Sequence, residues 1–276
     1  MSQTLGASQR RVCRALAVSR SSLRPLLSGP KQDNRVDDVL AMRIKGLIER
    51  FPTWGYRRIW AWLKHREGLT VNKKAVYRIF KLKRWFMNQR QATPRPRVKA
   101  SRSVAASSNE RWAMDVTHID CGRDGWGHLA AVIDCHDRQI VGWEFAVRAR
   151  AKEAERALEE ACLARFGTLR PDGATPVIRS DNGLIFQSKR FRAACKDYRL
   201  SQEFVTPYTP EQNGMIERFF RSLKEECVWL ENYENFEQAK AAVAAWIRFY
   251  NRERPHQSLN YMSPEQFRAQ QQQQVA

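Results

Sequence analysis

The sequence predicts an α/β domain with a mixed sheet behind an all-helical, strongly basic amino-terminal region. Two observations carry that prediction. Charge is split: residues 1–110 hold 25 Lys and Arg against 6 Asp and Glu, and residues 111–276 hold 23 of each, so the whole excess of +19 lies in the first 110 residues. Hydrophobic periodicity changes at the same place, from helical spacing to short apolar runs in the order β-β-β-α-β-α-β, followed by helices. With 276 residues, 43% hydrophobic and 11% aromatic, the chain can bury a sizeable core and form two domains.

Within residues 1–34, Arg10 to Leu16 reads as a short helix with Val12 and Leu16 on one face. After a Val18-Ser19 turn, a second segment carries Leu23, Leu26 and Leu27. This is either a small helix-turn-helix or simple helical packing. Asp37 and Asp38 supply acids for the next helix start, and Val39, Met42, Ile44, Leu47 and Ile48 continue an apolar pattern until Phe51-Pro52 stops it. A further helix begins near Thr53 and ends at Gly68, with Tyr56, Ile59, Trp60 and Leu63 as its buried stripe and Arg57, Arg58 and Lys64 pointing elsewhere. Val71 to Lys83 turns Val76, Ile79 and Phe80 inward and presents Lys73, Lys74, Tyr77, Arg78 and Lys81 on the opposite face. Two basic helices joined by a short turn fit a helix-turn-helix DNA-binding domain over residues 35–90, although a solvated basic face also accounts for them. Residues 91–109, rich in Pro, Ser and Arg with no apolar period, read as a basic linker able to lie along a duplex.

In residues 110–267 the runs Trp112 to Ile119, Gly127 to Cys135 and Gln139 to Val147 read as a three-strand meander. Lys152 to Phe166 is a long helix, Pro176 to Ser180 a strand, Ser188 to Tyr198 a helix, Gln202 to Val205 a strand and Thr209 to Glu226 an amphipathic helix. The Gln270–Gln274 run is low in complexity, and residues 268–276 are expected to be a disordered tail.

Composition excludes several classes. No apolar run approaches the roughly 20 residues that span a bilayer, and no signal-peptide pattern opens the chain, so an intracellular protein without a membrane is expected. Six cysteines (Cys13, Cys121, Cys135, Cys162, Cys195 and Cys227) form no CxxC pair and read as free thiols rather than a disulfide framework. His118, Cys121, His128, Cys135 and His136 crowd one stretch, but without finger-like spacing they do not read as a zinc site. A concentrated cationic module points instead to a polyphosphate partner.

Three acids stand out: Asp115 on the first strand, Asp181 at the end of the fourth in Ser180-Asp181-Asn182-Gly183, and Glu217 in the amphipathic helix. Sixty-five residues separate the two aspartates, and thirty-five separate Asp181 from Glu217. Singly, each has an ordinary explanation: a salt bridge for Asp115, a turn for Asp181, and an exposed Glu217/Arg221/Lys224 face at i, i+4 and i+7. Together, two or three carboxylates with open positions can hold hard divalent cations through oxygen, with Mg²⁺ expected. Two such ions activate a hydroxyl and stabilise the leaving oxygen in phosphoryl transfer. The acids Asp120, Asp124, Asp134, Asp137, Glu153, Glu155, Glu159 and Glu160 read as structural.

Asp115, Asp181, Glu217, the run Thr206 to Gly214 and the closing Tyr250-Asn251-Arg252-Glu253-Arg254-Pro255-His256-Gln257-Ser258-Leu259 resemble the DDE transposases of the IS-three family, second reading frame. The resemblance runs from about residue 35 to residue 267. It implies an RNase H-like catalytic core, a mixed five-stranded sheet with flanking helices similar to retroviral integrase, behind a helix-turn-helix region. It further implies Asp115, Asp181 and Glu217 as the metal-binding catalytic triad, served by Mg²⁺ (or Mn²⁺) as two ions, and Lys224 as a DNA contact. The expected partners are double-stranded DNA, meaning the element's terminal inverted repeats and the target, a homo-oligomer on DNA, and an upstream-frame product or fusion. The expected location is the bacterial cytoplasm, at the nucleoid. A non-catalytic DNA-binding regulator that retains the fold is the alternative.

Overall fold

A computed structural model describes residues 8–19, 37–87, 105–206 and 212–275. Residues 1–46 and 47–276 form two compact units. In the first, α1 (Gln9–Ala15) buries Cys13, whereas Leu16, expected on the inner face, is 63% exposed. The segment expected through Leu23, Leu26 and Leu27 lies outside the described residues. Helix α2 (Asp38–Arg50) begins where the Asp37 carboxylate accepts the Leu40 N–H at 3.1 Å, an N-terminal cap. Its buried stripe is Ala41, Ile44 and Leu47, while Val39 and Met42 are exposed. Periodicity located the helix but not its face, because small Ala41 carries a weak hydrophobic signal and Val39 and Met42 a strong one.

In the second unit α3 (Tyr56–His65) buries Ile59, Ala61, Trp62 and Leu63. Trp62 takes the core place expected of Trp60, which sits half-buried and donates its indole N–H to the Val71 carbonyl at 2.8 Å. Helix α4 (Lys73–Leu82) starts two residues later than expected, because the Asn72 side chain accepts the Lys74 N–H at 2.8 Å and caps it. Val76, Ile79 and Phe80 are buried, as the pattern requires. Most of the expected linker, residues 91–104, lies outside the described residues, as do residues 88–90 before it. Its last turn is held by Glu110, whose carboxylate accepts the Ala106 and Ser107 N–H groups.

The sheet has the order β3-β2-β1-β4-β5, built from β1 (Arg111–Asp120), β2 (Trp126–Asp134), β3 (Ile140–Ala146), β4 (Val177–Ser180) and β5 (Ser201–Phe204). The first three form an antiparallel meander, and β4 and β5 add in parallel beside β1. Strand alternation divides the core in two. Trp112, Met114, Ala130 and Val132 pack with α5 (Ala151–Phe166) and α7 (Lys189–Asp197), which follows the short α6 (Leu184–Gln187). Ala113, Ile119, Leu129, Ala131 and Ile133 pack on the other face with α8 (Gly214–Glu226) and α9 (Phe236–Arg252). Helix α5 can lie close to the sheet because Gly142 on β3 leaves the space: a Cβ there would collide with the Ala157 carbonyl.

Long-range polar contacts fix the layers. Asn251 on α9 accepts the Ile140 N–H and donates to the Ile140 carbonyl, both at 2.9 Å, so its amide substitutes for a neighbouring strand at the edge of β3. Asp134 and Asp137 are fully buried, and Arg165 on α5 donates to both carboxyl oxygens of Asp137 at 3.0 and 2.8 Å. Asp124 accepts the Phe236 N–H, Glu160 the Trp143 N–H, and Glu159 the Tyr198 hydroxyl. These acids are structural, as expected.

The tail is a correction. Residues Gln270–Gln274 are not disordered but continue α10 (Pro264–Val275). Ser263 and Gln266 cap that helix reciprocally, Pro264 stands at its first position, and glutamine is a competent helix former. Low complexity measured composition, and the cap decided conformation. Among the described residues no helix is long and apolar enough to cross a membrane.

Candidate active site

Asp115 lies midway along β1, opposite Ala131 of β2. On the parallel side Trp112 faces Ile178 and Ala113 faces Arg179. Two residues further along each chain come Asp115 and Asp181, so one pleat carries both carboxylates to the same face of the sheet. That face is the one α8 covers, since Ala113, Ile216, Phe219 and Leu223 belong to one buried cluster. Glu217 stands in the first turn of α8 with its own side chain exposed. Two adjacent parallel strands and one helix thus supply the three acids.

Their mutual influence is felt at Asp115, whose pKa is raised to about 6. Desolvation is the chief cause, the neighbouring negative charges of Asp181 and Glu217 add to it, and the Val116 N–H and the positive charge of Lys224 oppose it. That N–H, at 2.7 Å from Oδ1, is the hydrogen bond the half-buried carboxylate accepts. Desolvation also raises Glu217 above the ordinary range. The described residues nonetheless include no group of three His, Cys, Asp or Glu side chains gathered closely enough to grip an ion. The acids are within electrostatic reach of one another without forming a closed cage.

The loop after β4 is held in detail. Gly183 donates its N–H to Asp181 Oδ1 at 2.9 Å, and a Cβ on Gly183 would stand 2.8 Å from that oxygen, so glycine leaves the carboxylate its room. Asn182 donates to the Val205 carbonyl, and Gln187 donates to the carbonyl of Asn182. Arg179 is buried and donates to both oxygens of Glu203 and to the Gln212 carbonyl, joining β4 and β5 to the start of α8. Three carboxylates within reach of one another's charge are oxygen donors of the kind that suits a hard divalent cation.

The basic residues divide into groups. Lys224 is half-buried and near enough to Asp115 for its charge to be felt there. Arg221 donates to Glu225 at 2.8 Å along the helix surface. Lys73, Lys74, Arg78 and Lys81 are exposed along α4, with the Lys73 ammonium 5.2 Å from the Trp60 ring centroid. Tyr77 is 44% exposed at the margin of that face and meets Tyr56 edge-on at 5.1 Å. Arg57 donates to the Tyr56 hydroxyl at 3.2 Å. Arg58 is different: its guanidinium donates to Glu226 at 2.8 Å, so it serves packing between α3 and α8.

Sequence reasoning read Arg254, His256 and Asn251 only as parts of a closing motif. In the structure Arg254 donates to both carboxyl oxygens of Glu226 at 2.8 and 2.7 Å and shares that acid with Arg58. Arg254 is only 3% exposed, and no local signal marks this, because its neighbours Arg252, Glu253 and Gln257 are polar and its partner lies 28 residues away.

The integrase core domain family matches residues 105–210 and, through a second integrase core description, residues 198–264; an HTH-like domain matches residues 35–92. The transposase InsD for insertion element IS2A/D/F/H/I/K of Escherichia coli is 26% identical over 269 residues, covering 93% of this chain and 89% of the relative. Solved structures similar to the chain include a simian T-cell lymphotropic virus intasome in complex with PP2A regulatory subunit B56 gamma, at 19% identity and TM-score 0.49 over 75% of this chain and 73% of that one. The catalytic core domain of BIV integrase aligns at 20% identity and TM-score 0.43, covering 60% of this chain and 98% of that one.

Proposed function

The chain belongs to the insertion-sequence transposases with an integrase core, and on that premise we propose that it cuts DNA at the ends of a mobile element and joins the freed 3′-hydroxyl to target DNA. The observation that carries this reading is the coupling of Asp115 to both Asp181 and Glu217, three acids brought to one sheet face from points 66 and 36 residues apart in the chain.

Asp115, Asp181 and Glu217 are the residues that would hold divalent metal, and Mg²⁺ or Mn²⁺ suits their oxygen donors. When bound, a pair of such ions supplies charge neutralisation and activation of a hydroxyl nucleophile for in-line displacement at phosphorus. The chain's own part is positional. The β1/β4 ladder fixes Asp115 against Asp181, the Gly183 N–H orients the Asp181 carboxylate, and α8 presents Glu217 from the third direction. Lys224 offers a cation to a DNA phosphate beside the acids. Lys73, Lys74, Tyr77, Arg78 and Lys81 of α4, with Arg57 of α3, contact the element's end within the helix-turn-helix domain of residues 35–90, while Arg221 stays within reach of phosphate by exchanging its exposed Glu225 partner. Joining requires two ends held together, so a homo-oligomer forms on DNA, with an upstream-frame product or fusion supplying further end-binding segments.

A strand-transfer assay with labelled element-end DNA and Mg²⁺ tests this, comparing the wild-type chain with Glu217→Gln, each with and without any upstream-frame product. Joined product from the wild type alone, with DNA binding retained by both, is expected. Binding without cleavage or joining under every condition would instead identify a DNA-binding regulator that has kept the fold.

A further inference from the structure

Behind α8, within the second unit, lies a cleft of about 1280 Å³ that the catalytic reading does not use. Met215, Arg218, Phe219 and Ser222 line it, and at 100° per residue this stripe is on the side of α8 opposite Glu217 and Lys224. The far wall comes from α3, α4 and the residues just after α4, and the floor from Tyr250, Arg254 and His256.

Its chemistry is one-sided. Five arginines (Arg57, Arg58, Arg138, Arg218 and Arg254) line the cleft, and among the described residues no carboxylate does. Glu226, behind the wall, neutralises only part of this charge, by holding Arg58 and Arg254. Arg138 and Arg218 have no ion pair or side-chain hydrogen bond among the described residues, and they lie close enough that the charge of Arg218 helps to lower the pKa of Arg138, after desolvation. At the floor, burial and then the charges of Arg254, Arg138 and Arg58 push His256 well below its usual range, so the cations converge there. A part-buried guanidinium without an acid partner, with a second cation near enough to be felt, suits an anion.

The opposite rim is aromatic. Tyr77 and Phe86 are 44% and 43% exposed, their ring centroids are 5.2 Å apart, and both approach Tyr56, at 5.1 and 6.2 Å. Met87, beside them, is also exposed. Exposed rings opposite unpaired arginines suit a ligand that alternates flat apolar faces with phosphates, which is a nucleic-acid strand whose bases are unpaired. In a duplex those base faces are hidden by stacking on their neighbours. The volume also exceeds the roughly 300–1,000 Å³ that takes one drug-sized molecule, leaving room for more than one nucleotide.

We infer that this cleft binds a short unpaired segment of a DNA strand, with phosphates on Arg138 and Arg218 and bases against Tyr77 and Phe86. The identification of the strand as DNA rests on the transposase reading, and the cleft itself does not. It would seat nucleotides unpaired when an element's end is opened for cutting, apart from the acids that act on the phosphodiester.

Fluorescence anisotropy of a labelled oligo(dT), with an unlabelled duplex of the same length and a polyglutamate peptide as competitors, provides the test. Arg218→Glu, at an exposed helix position without a partner among the described residues, should weaken oligo(dT) binding at least about tenfold, and Phe86→Ala should weaken it by a similar factor. Both should affect duplex binding less. Oligo(dT) affinity unchanged in both variants would overturn the inference, as would equal loss of duplex binding, or competition by polyglutamate as strong as by oligo(dT). Glu217→Gln should bind oligo(dT) like the wild type. If it also joins DNA like the wild type, the catalytic reading fails while the cleft stands; if cleft variants bind normally while Glu217→Gln is inactive, the reverse holds.

Discussion

Asp115 is held in an electrostatically unfavourable state, and its replacement should show this. Its folded pKa of about 6 lies above the ordinary 3.8, so between those values the native state binds more protons than the unfolded one. The ionised carboxylate therefore costs stability above pH 6, and the cost fades as pH falls through 6 towards 4. Asp115→Asn should be more stable than the wild type by about 1–3 kcal/mol at pH 7.5 without divalent metal, with the gain vanishing near pH 4 in thermal melts. Mg²⁺ on the order of 10 mM should raise the Tm of the wild type and leave that of the variant unchanged, since only the native acids would bind it. A less stable variant at pH 7.5 would show that Asp115 is compensated by partners instead. Asp115 was legible in the sequence because an acid inside an apolar strand is conspicuous. Its neighbours at Asp181 and Glu217 became legible through their motifs and spacing, but the open arrangement of the three depends on how α8 settles on the sheet.

Between elements, the closest approach of helix to sheet depends on Gly142 under α5, and the edge of β3 on Asn251 from α9. Gly142→Val should push α5 off the sheet and destabilise the chain by about 1–3 kcal/mol or more through overpacking. Asn251→Ala should cost a similar amount, about 1–3 kcal/mol for each buried backbone group of Ile140 left unpaired. Urea unfolding measures both, and a midpoint shift near zero for Asn251→Ala would mean water replaces the amide. The five strands and helices α1 to α5, α7 and α8 were readable because each carries its own period, whereas the four residues of α6 are too few to show one. Faces were less so. Trp60 and Trp62 are equally apolar in sequence, and only packing against Phe51, Trp54 and Phe249 draws Trp62 inside. The Gln-rich end went unread for the same reason, since its helix is set by a Ser263/Gln266 cap rather than by composition.

For the whole molecule, the excess of +19 within residues 1–110 should make DNA binding strongly salt-dependent. Raising salt from about 50 to 200 mM should weaken binding to duplex element ends by a factor on the order of 10³ if six or more phosphates are neutralised. Removing single α4 cations, for example by Lys74→Ala, should reduce the salt slope by about one each. A flat salt response would sink the phosphate-contact role of the amino-terminal helices, whatever the core does.

What the sequence determined by itself was local or additive: net charge and where it lies, helical and strand periods, the turn at Asp181 to Gly183, and the identity of three acids in recognisable surroundings. Each of these is written in residues next to or a few positions from one another. What only the tertiary structure decided were pairings between residues far apart in the chain. Glu226 takes Arg58 from 168 positions away, and Asn251 completes a strand 111 positions away. The arginine-lined cleft likewise exists only where α3, α4, α8 and the segment after α9 converge. Side-chain charge is visible in a sequence, but whether it is spent on a carboxylate or left for a ligand depends on which distant residue folding brings beside it.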